Sequence, residues 1–243
     1  MQNLNYKIIV FFIGILLFFN GGLMLFSSLI SYIYRDGVTF EIILASFIVL
    51  AIGSIFILLG RKHNKHIHKR EGYLIVSLGW LFMVLSGTFP YIFTETFPNF
   101  PSTFFETMSG YTATGATVLN DIGTLPSGIL FWRSMTHWIG GMGIIVLAIA
   151  ILPLLGIGGM QLFSAEAPGP NGDKLHPRIA DTAKRLWLIY VFFTISEALM
   201  LHLAGMTIFD AINHAMSTMA SGGFSTKNES LAYWNHQPWI HYI

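Results

Sequence analysis

Residues 109–117 read SGYTATGAT, hydroxyl side chains and glycines in a chain that is 53% hydrophobic. One chemistry suits them. Glycine allows positive φ, so successive backbone carbonyls can turn to one side, and Ser or Thr beside it adds a hydroxyl oxygen. A row of such oxygens can replace the hydration shell of a potassium ion. A second stretch, MASGGF at 219–224, offers the same groups. Aligning Gly115 with Gly222 lays TATGAT over MASGGF at an offset of 107 residues. Taken singly, such a stretch is more often a turn than an ion filter; the two together read equally well as a filter or as ordinary loops outside a membrane.

The elements that must position them are helices in a bilayer. Charged residues make up 10% of the chain, far below the roughly 25% of soluble domains. Apolar runs of the length needed to cross about 30 Å of hydrocarbon recur. They predict five spans, at Lys7–Tyr34, Phe40–Gly60, Gly72–Thr94, Ser127–Leu155 and Lys184–Met206. The final residues, 234–243, read as the onset of a further apolar stretch and suggest a fragment. Arg61, Lys62, Lys65, Lys69 and Arg70 follow the second span, and Lys174, Arg178, Lys184 and Arg185 precede the fifth. Cytoplasmic loops carry the excess of Lys and Arg, so both segments face the cytoplasm and the N-terminus lies inside.

Both polar stretches then fall on the outer side, each after a span and a short amphipathic run. The first run carries Phe104, Phe105 and Met108 at helical spacing, with Pro101 suited to its first turn. The second extends from Ile208 to about Ser217. Irregular backbone at membrane depth is tolerated only where it is buried in protein or lines a water-filled cavity. A short helix before such a stretch points its partially negative C-terminal end at the pore axis. Asp36, Glu95, Glu106, Asp121, Asp210 and Glu229 lie in the outer segments, where they would raise the local cation concentration within a screening length of about 8 Å.

Other residues weigh against other chemistry. The chain has no cysteine, which excludes disulfides and thiolate sites. His63, His66 and His68 sit among basic residues with no carboxylate between them, a pattern suited to anionic lipid headgroups rather than a metal. Arg133 lies inside the fourth span, where an intramembrane cation marks function unless it snorkels to the outer interface. Glu197 and His202 are expected to face the bundle interior and pair with neighbouring helices. The glycines after His137-Trp138 suit close helix packing. No His-Glu-x-x-His and no paired aspartates sit inside the spans, so an enzyme is not expected.

Four stretches carry a family resemblance: FFETMSGYTATGATVL (104–119), the run from Trp132 to Phe163 containing WIGGMGIIVLAIAILPLLGIGG, the linker SAEAPGPNGDKLHPRIADTAKRLWLIY (164–190), and FDAINHAMSTMASGGFST (209–226). In these the chain resembles the Trk/Ktr/HKT superfamily of potassium transporters, and most closely its TrkH-type members. The resemblance implies an all-α integral membrane fold of helix–pore-loop–helix units around one pore, each unit supplying a quarter of a potassium filter. It implies two N-terminal helices with a basic loop over 1–71, a first unit over 72–160, a cytoplasmic linker over 161–183 and an incomplete second unit over 184–243. The implied filter residues are Ala113, Thr114 and Gly115 in the first unit and Ala220, Ser221 and Gly222 in the second, with potassium the ion and no organic cofactor. It further implies potassium uptake across the bacterial inner membrane, a homodimer and a cytosolic nucleotide-binding gating ring of the TrkA type. At this length a non-conducting membrane subunit is the alternative.

Overall fold

The computed structural model describes residues 4–62, 69–155 and 175–243, with side chains outside the description at 69, 144–155 and 175–181. The described residues form eight α-helices: α1 (Tyr6–Tyr34), α2 (Thr39–Gly60), α3 (Lys69–Gly87), α4 (Phe89–Phe93), α5 (Phe100–Tyr111), α6 (Ser127–Leu155), α7 (Leu175–Leu203) and α8 (Ile208–Met219). No strand occurs among them. Four stretches are long and apolar enough to cross a membrane: Tyr6–Tyr34, Thr39–Gly60, Arg70–Phe93 and Thr182–Leu203. The remaining expected span, α6, is a helix of 29 residues, which at 1.5 Å per residue is also long enough to cross. The chain is an all-α integral membrane protein.

Two boundaries differ from expectation. α7 begins at Leu175, well before Lys184, so the linker expected over 161–183 already contains helix. Residues 230–243 form short 3₁₀ turns at Ser230–Trp234 and Pro238–His241. Trp234 and Ile240 fold back onto an apolar cluster with Leu201, Met206 and Ala211, and Pro238 lacks the amide a continuing helix would need. The histidines at 63, 66 and 68 lie outside the described residues.

α1 and α2 form a hairpin whose axes approach closely. A β-carbon on Gly53 would lie 2.7 Å from the Phe18 amide nitrogen, the small-residue contact through which helices associate in lipid. The hairpin is bonded to the rest of the molecule at its turn and half-way along α1. Asp36, in the α1–α2 turn, accepts from the Gly128 amide at 2.7 Å, placing a carboxylate at the N-terminal end of α6. Deeper in, Asn20 of α1 is fully buried. Its amide donates to the Ser86 hydroxyl at 2.8 Å and to the Met83 carbonyl at 3.3 Å, and its oxygen accepts from the Tyr111 hydroxyl at 2.6 Å.

Tyr111 ends α5, so this network fixes the base of the first polar stretch. Substitution Tyr111→Phe strands the Asn20 oxygen in a dry interior. We expect it to cost about 1–3 kcal/mol, measured as a lower thermal midpoint in detergent, with Asn20→Leu in the Phe background recovering part of the loss.

Candidate functional site

α5 and α8 are built alike. Each has 12 residues. Asn99 caps α5 by accepting from the Ser102 amide at 2.9 Å. Thr207 caps α8 by accepting from the Asp210 amide at 3.1 Å and donating to its carboxylate at 2.8 Å. These caps occupy donors that the first helical turn leaves free.

The two helices also end alike. After α5, the Ala113 amide donates to Gly110 O and the Thr114 amide to Ser109 O, both at 2.9 Å. After α8, the Ser221 amide donates to Thr218 O at 2.7 Å and the Gly222 amide to Ser217 O at 2.8 Å. This is the paired C-terminal lock that needs a left-handed residue just past the helix. That residue is Ala113 (φ 51°) in one and Ser221 (φ 56°) in the other. Glycine normally takes this position, so both sites hold local strain. Two residues on, Gly115 (φ 76°) and Gly223 (φ 96°) repeat the positive angle.

Caps, helix lengths, locks and left-handed residues therefore correspond at an offset of 108, not the 107 expected from sequence. The structural counterpart of Gly115 is Gly223; Gly222 is the counterpart of Thr114. The double glycine is the reason. Residue identity cannot choose between Gly222 and Gly223, whereas the backbone places its positive φ at the second. Ala220 correspondingly matches Thr112 and sits at the helix cap, buried against Gly141.

Beyond the locks the chain forms neither helix nor strand. Among the described residues no hydrogen bond is donated to the carbonyl oxygens of 112–117 or 220–224. Thr112, Thr114, Ala116, Ser221 and Gly223 are exposed, while Ala113, Gly115 and Gly222 are partly covered. The two stretches meet where Gly115 faces Gly222: a β-carbon on Gly115 would lie 1.8 Å from the Gly222 carbonyl oxygen.

α6 is the wall behind both. A β-carbon on Gly140 would meet the Tyr111 carbonyl oxygen at 2.1 Å, and one on Gly141 would meet Ala220 Cα at 2.8 Å. The glycines after Trp138 thus serve close packing, with the ends of α5 and α8 as their neighbours. Arg133 is 1% exposed and does not snorkel. Its Nε and Nη2 donate to Glu106 Oε1 at 2.9 and 2.7 Å, and Nη1 donates to Ser225 O at 3.3 Å. Its guanidinium lies 4.0 Å from the Phe224 ring centroid. His137 stacks with Phe224 at 3.9 Å, and its Nδ1 meets the Ser217 hydroxyl at 3.1 Å.

Glu106 and Asp210 are not part of an outer acidic field. Glu106 is 0% exposed and also accepts from the Thr117 hydroxyl and the Val118 amide. Asp210 is 5% exposed and accepts from the Thr226 hydroxyl at 2.5 Å. A buried carboxylate needs such partners, since an unpaired charge in low dielectric is costly. Nearby His214 faces the Ser225 hydroxyl at 3.2 Å. Asn228 ties the segments after the two stretches together by accepting from the Ile122 amide and donating to Asp121.

Glu197 is buried, as expected of an acid facing the bundle interior. His202 is not. It is exposed, and its Nδ1 lies 2.9 Å from Met206 O at the end of its own helix. The Glu106–Arg133 pair escaped the sequence reading because the two residues are far apart in the chain. The available signal was Arg133 itself, since an arginine inside a span calls for a carboxylate, and Glu106 is the one charged residue of its short helix.

Paired short helices, each followed by an irregular glycine-containing stretch and backed by a long helix, define a pore-loop membrane protein. A profile of TrkH, described as a cation transport protein, matches residues 38–243. The chain belongs to this family. It is 49% identical over 235 residues to the Trk system potassium uptake protein TrkH of Salmonella typhimurium, covering 96% of this chain and 48% of that protein. It is 38% identical to TrkG of Escherichia coli strain K12, covering 97% of this chain and 49% of that protein. The crystal structure of the potassium transporter TrkH from Vibrio parahaemolyticus superposes with a TM-score of 0.85 at 41% identity, over 98% of this chain and 48% of that one. The chain thus spans about half the length of these relatives.

Proposed function

We propose that the chain supplies two quarter-walls of a potassium-selective pore serving potassium uptake across the bacterial inner membrane. The supporting observation is the pair of stretches with matching locks, matching left-handed residues and carbonyl oxygens that take no donor from the described residues. Free carbonyls of this kind can take the place of water around a dehydrated cation. Ala113, Thr114 and Gly115 form the lining of the first unit, and Ser221, Gly222 and Gly223 the corresponding lining of the second, with Ala220 at its inner edge. A closed filter of four quarters needs two beyond this pair. The units are 72–160 and the segment from 184 on, preceded by the helices of 1–71, with the basic segments and the N-terminus in the cytoplasm. A homodimer and a cytosolic nucleotide-binding gating ring complete the proposed assembly.

Gly223 gives the test. A β-carbon there meets nothing within 4 Å, yet φ is 96°. Gly223→Ala should therefore leave the packing intact and strain only the backbone path, by roughly 1–2 kcal/mol. We expect the native full-length protein carrying it to lose about tenfold of its potassium-over-sodium preference, read as uptake of each ion in cells lacking other potassium uptake. An unchanged preference at normal membrane abundance would remove the filter assignment.

A further inference from the structure

We infer that Glu106 and Arg133 form a strut that sets the spacing of the two filter stretches, and thereby act as positioning residues for ion preference. The inference rests on reading the stretches as filter walls. It adds to that reading a pair of side chains that touch no ion.

The geometry is specific. Arg133 belongs to α6, behind the stretches, and Glu106 to α5. One carboxylate oxygen of Glu106 takes both Nε and Nη2 of the arginine. The other accepts from the Val118 amide and the Thr117 hydroxyl at 3.0 Å each. Arg133 Nη2 also reaches the Thr117 hydroxyl at 3.3 Å, while Nη1 donates to the Ser225 carbonyl at 3.3 Å. Thr117 and Ser225 are structural counterparts at the offset of 108. One guanidinium therefore holds the same position in both stretches, and Phe224 of the second stretch is packed against its face.

Chemistry favours positioning over attraction of cations. The carboxylate is neutralised by its partner and is closed off from solvent, so it contributes little field to an ion outside. A guanidinium is a flat fork of donors in fixed directions, which an ammonium cannot copy. Charge-assisted bonds of this kind are short and directional. Whether preference arises from cavity size or from carbonyl field, it depends on how far apart the walls are held.

The test compares Arg133→Lys, Glu106→Gln and Thr117→Val in the native full-length protein, reading membrane abundance and the ratio of potassium to sodium uptake. The lysine keeps the charge and loses the fork. The valine removes one hydroxyl from the network without unpairing a charge. We expect Arg133→Lys to lower the ratio about tenfold, with Thr117→Val lowering it in the same direction by less. A wild-type ratio in Arg133→Lys and Glu106→Gln at normal abundance overturns the strut. If those two fail to reach the membrane, Thr117→Val decides, and a wild-type ratio there overturns it equally. A role in folding alone would reduce abundance and leave the ratio of the surviving protein unchanged, which also overturns it. Failure of the filter reading is separate: it shows as an unaltered ratio in Gly223→Ala, and it removes the basis of the strut.

Discussion

Arg133→Met lowers the stability of the fold by about 3–5 kcal/mol. The substitution removes the partner of a carboxylate that is 0% exposed. Glu106 then keeps only the Thr117 hydroxyl and the Val118 amide, too little to compensate a full charge in a dry site. Methionine has roughly the right length to follow the arginine stem, so the cost is mainly electrostatic. Some packing is lost as well, because Phe224 lies between the guanidinium at 4.0 Å and the His137 ring at 3.9 Å. Pairing the change with Glu106→Leu removes the orphaned charge, and a buried ion pair replaced by apolar groups is often close to neutral. The double variant should therefore recover most of the lost stability, measured by thermal unfolding in detergent or nanodiscs. A single variant as stable as wild type, or a double variant no better than the single, contradicts this account.

Gly140→Ala is expected to have the next largest effect. The added carbon would lie 2.1 Å from the Tyr111 carbonyl oxygen and 2.7 Å from its carbon, both backbone atoms. No side-chain rotation relieves that overlap, so α6 and the end of α5 must separate. Overpacking in a close-packed interior costs about 1–3 kcal/mol, and here the displaced backbone is the one leading into the Ala113 lock. The control is Gly22→Ala in α1, where nothing lies within 4 Å. There the better helix propensity of alanine should stabilise by up to about 1 kcal/mol. Thermal midpoints moving in opposite directions for the two variants support the packing account; equal midpoints would sink it.

Much of the fold was legible because the bilayer imposes a coarse rule. Apolar length predicts a span, and the ends of α1, α2 and α6 fall within a residue or so of the expected ones. The re-entrant helices were legible as well. α5 carries Pro101 and its Phe and Met spacing, and the short run from Ile208 to about Ser217 is α8. The beginning of α7 was not, because the segment before Lys184 is polar and charged, and hydropathy does not distinguish a helix that continues out of the membrane from a loop.

The sequence by itself determined that this is a helical membrane chain, where its polar stretches lie, and which family it belongs to. Composition and apolar run length carry the first two, and the motifs of 104–119, 132–163, 164–190 and 209–226 carry the third. Tertiary structure alone decided the register of the second stretch and the fate of the buried charges. Register turns on which of two adjacent glycines takes the positive φ, a backbone choice that one-letter identity does not encode. Glu106 and Asp210 look like surface acids in sequence, yet folding closes each behind its partners. A side chain's role follows from whether water or a donor surrounds it, and only packing settles which.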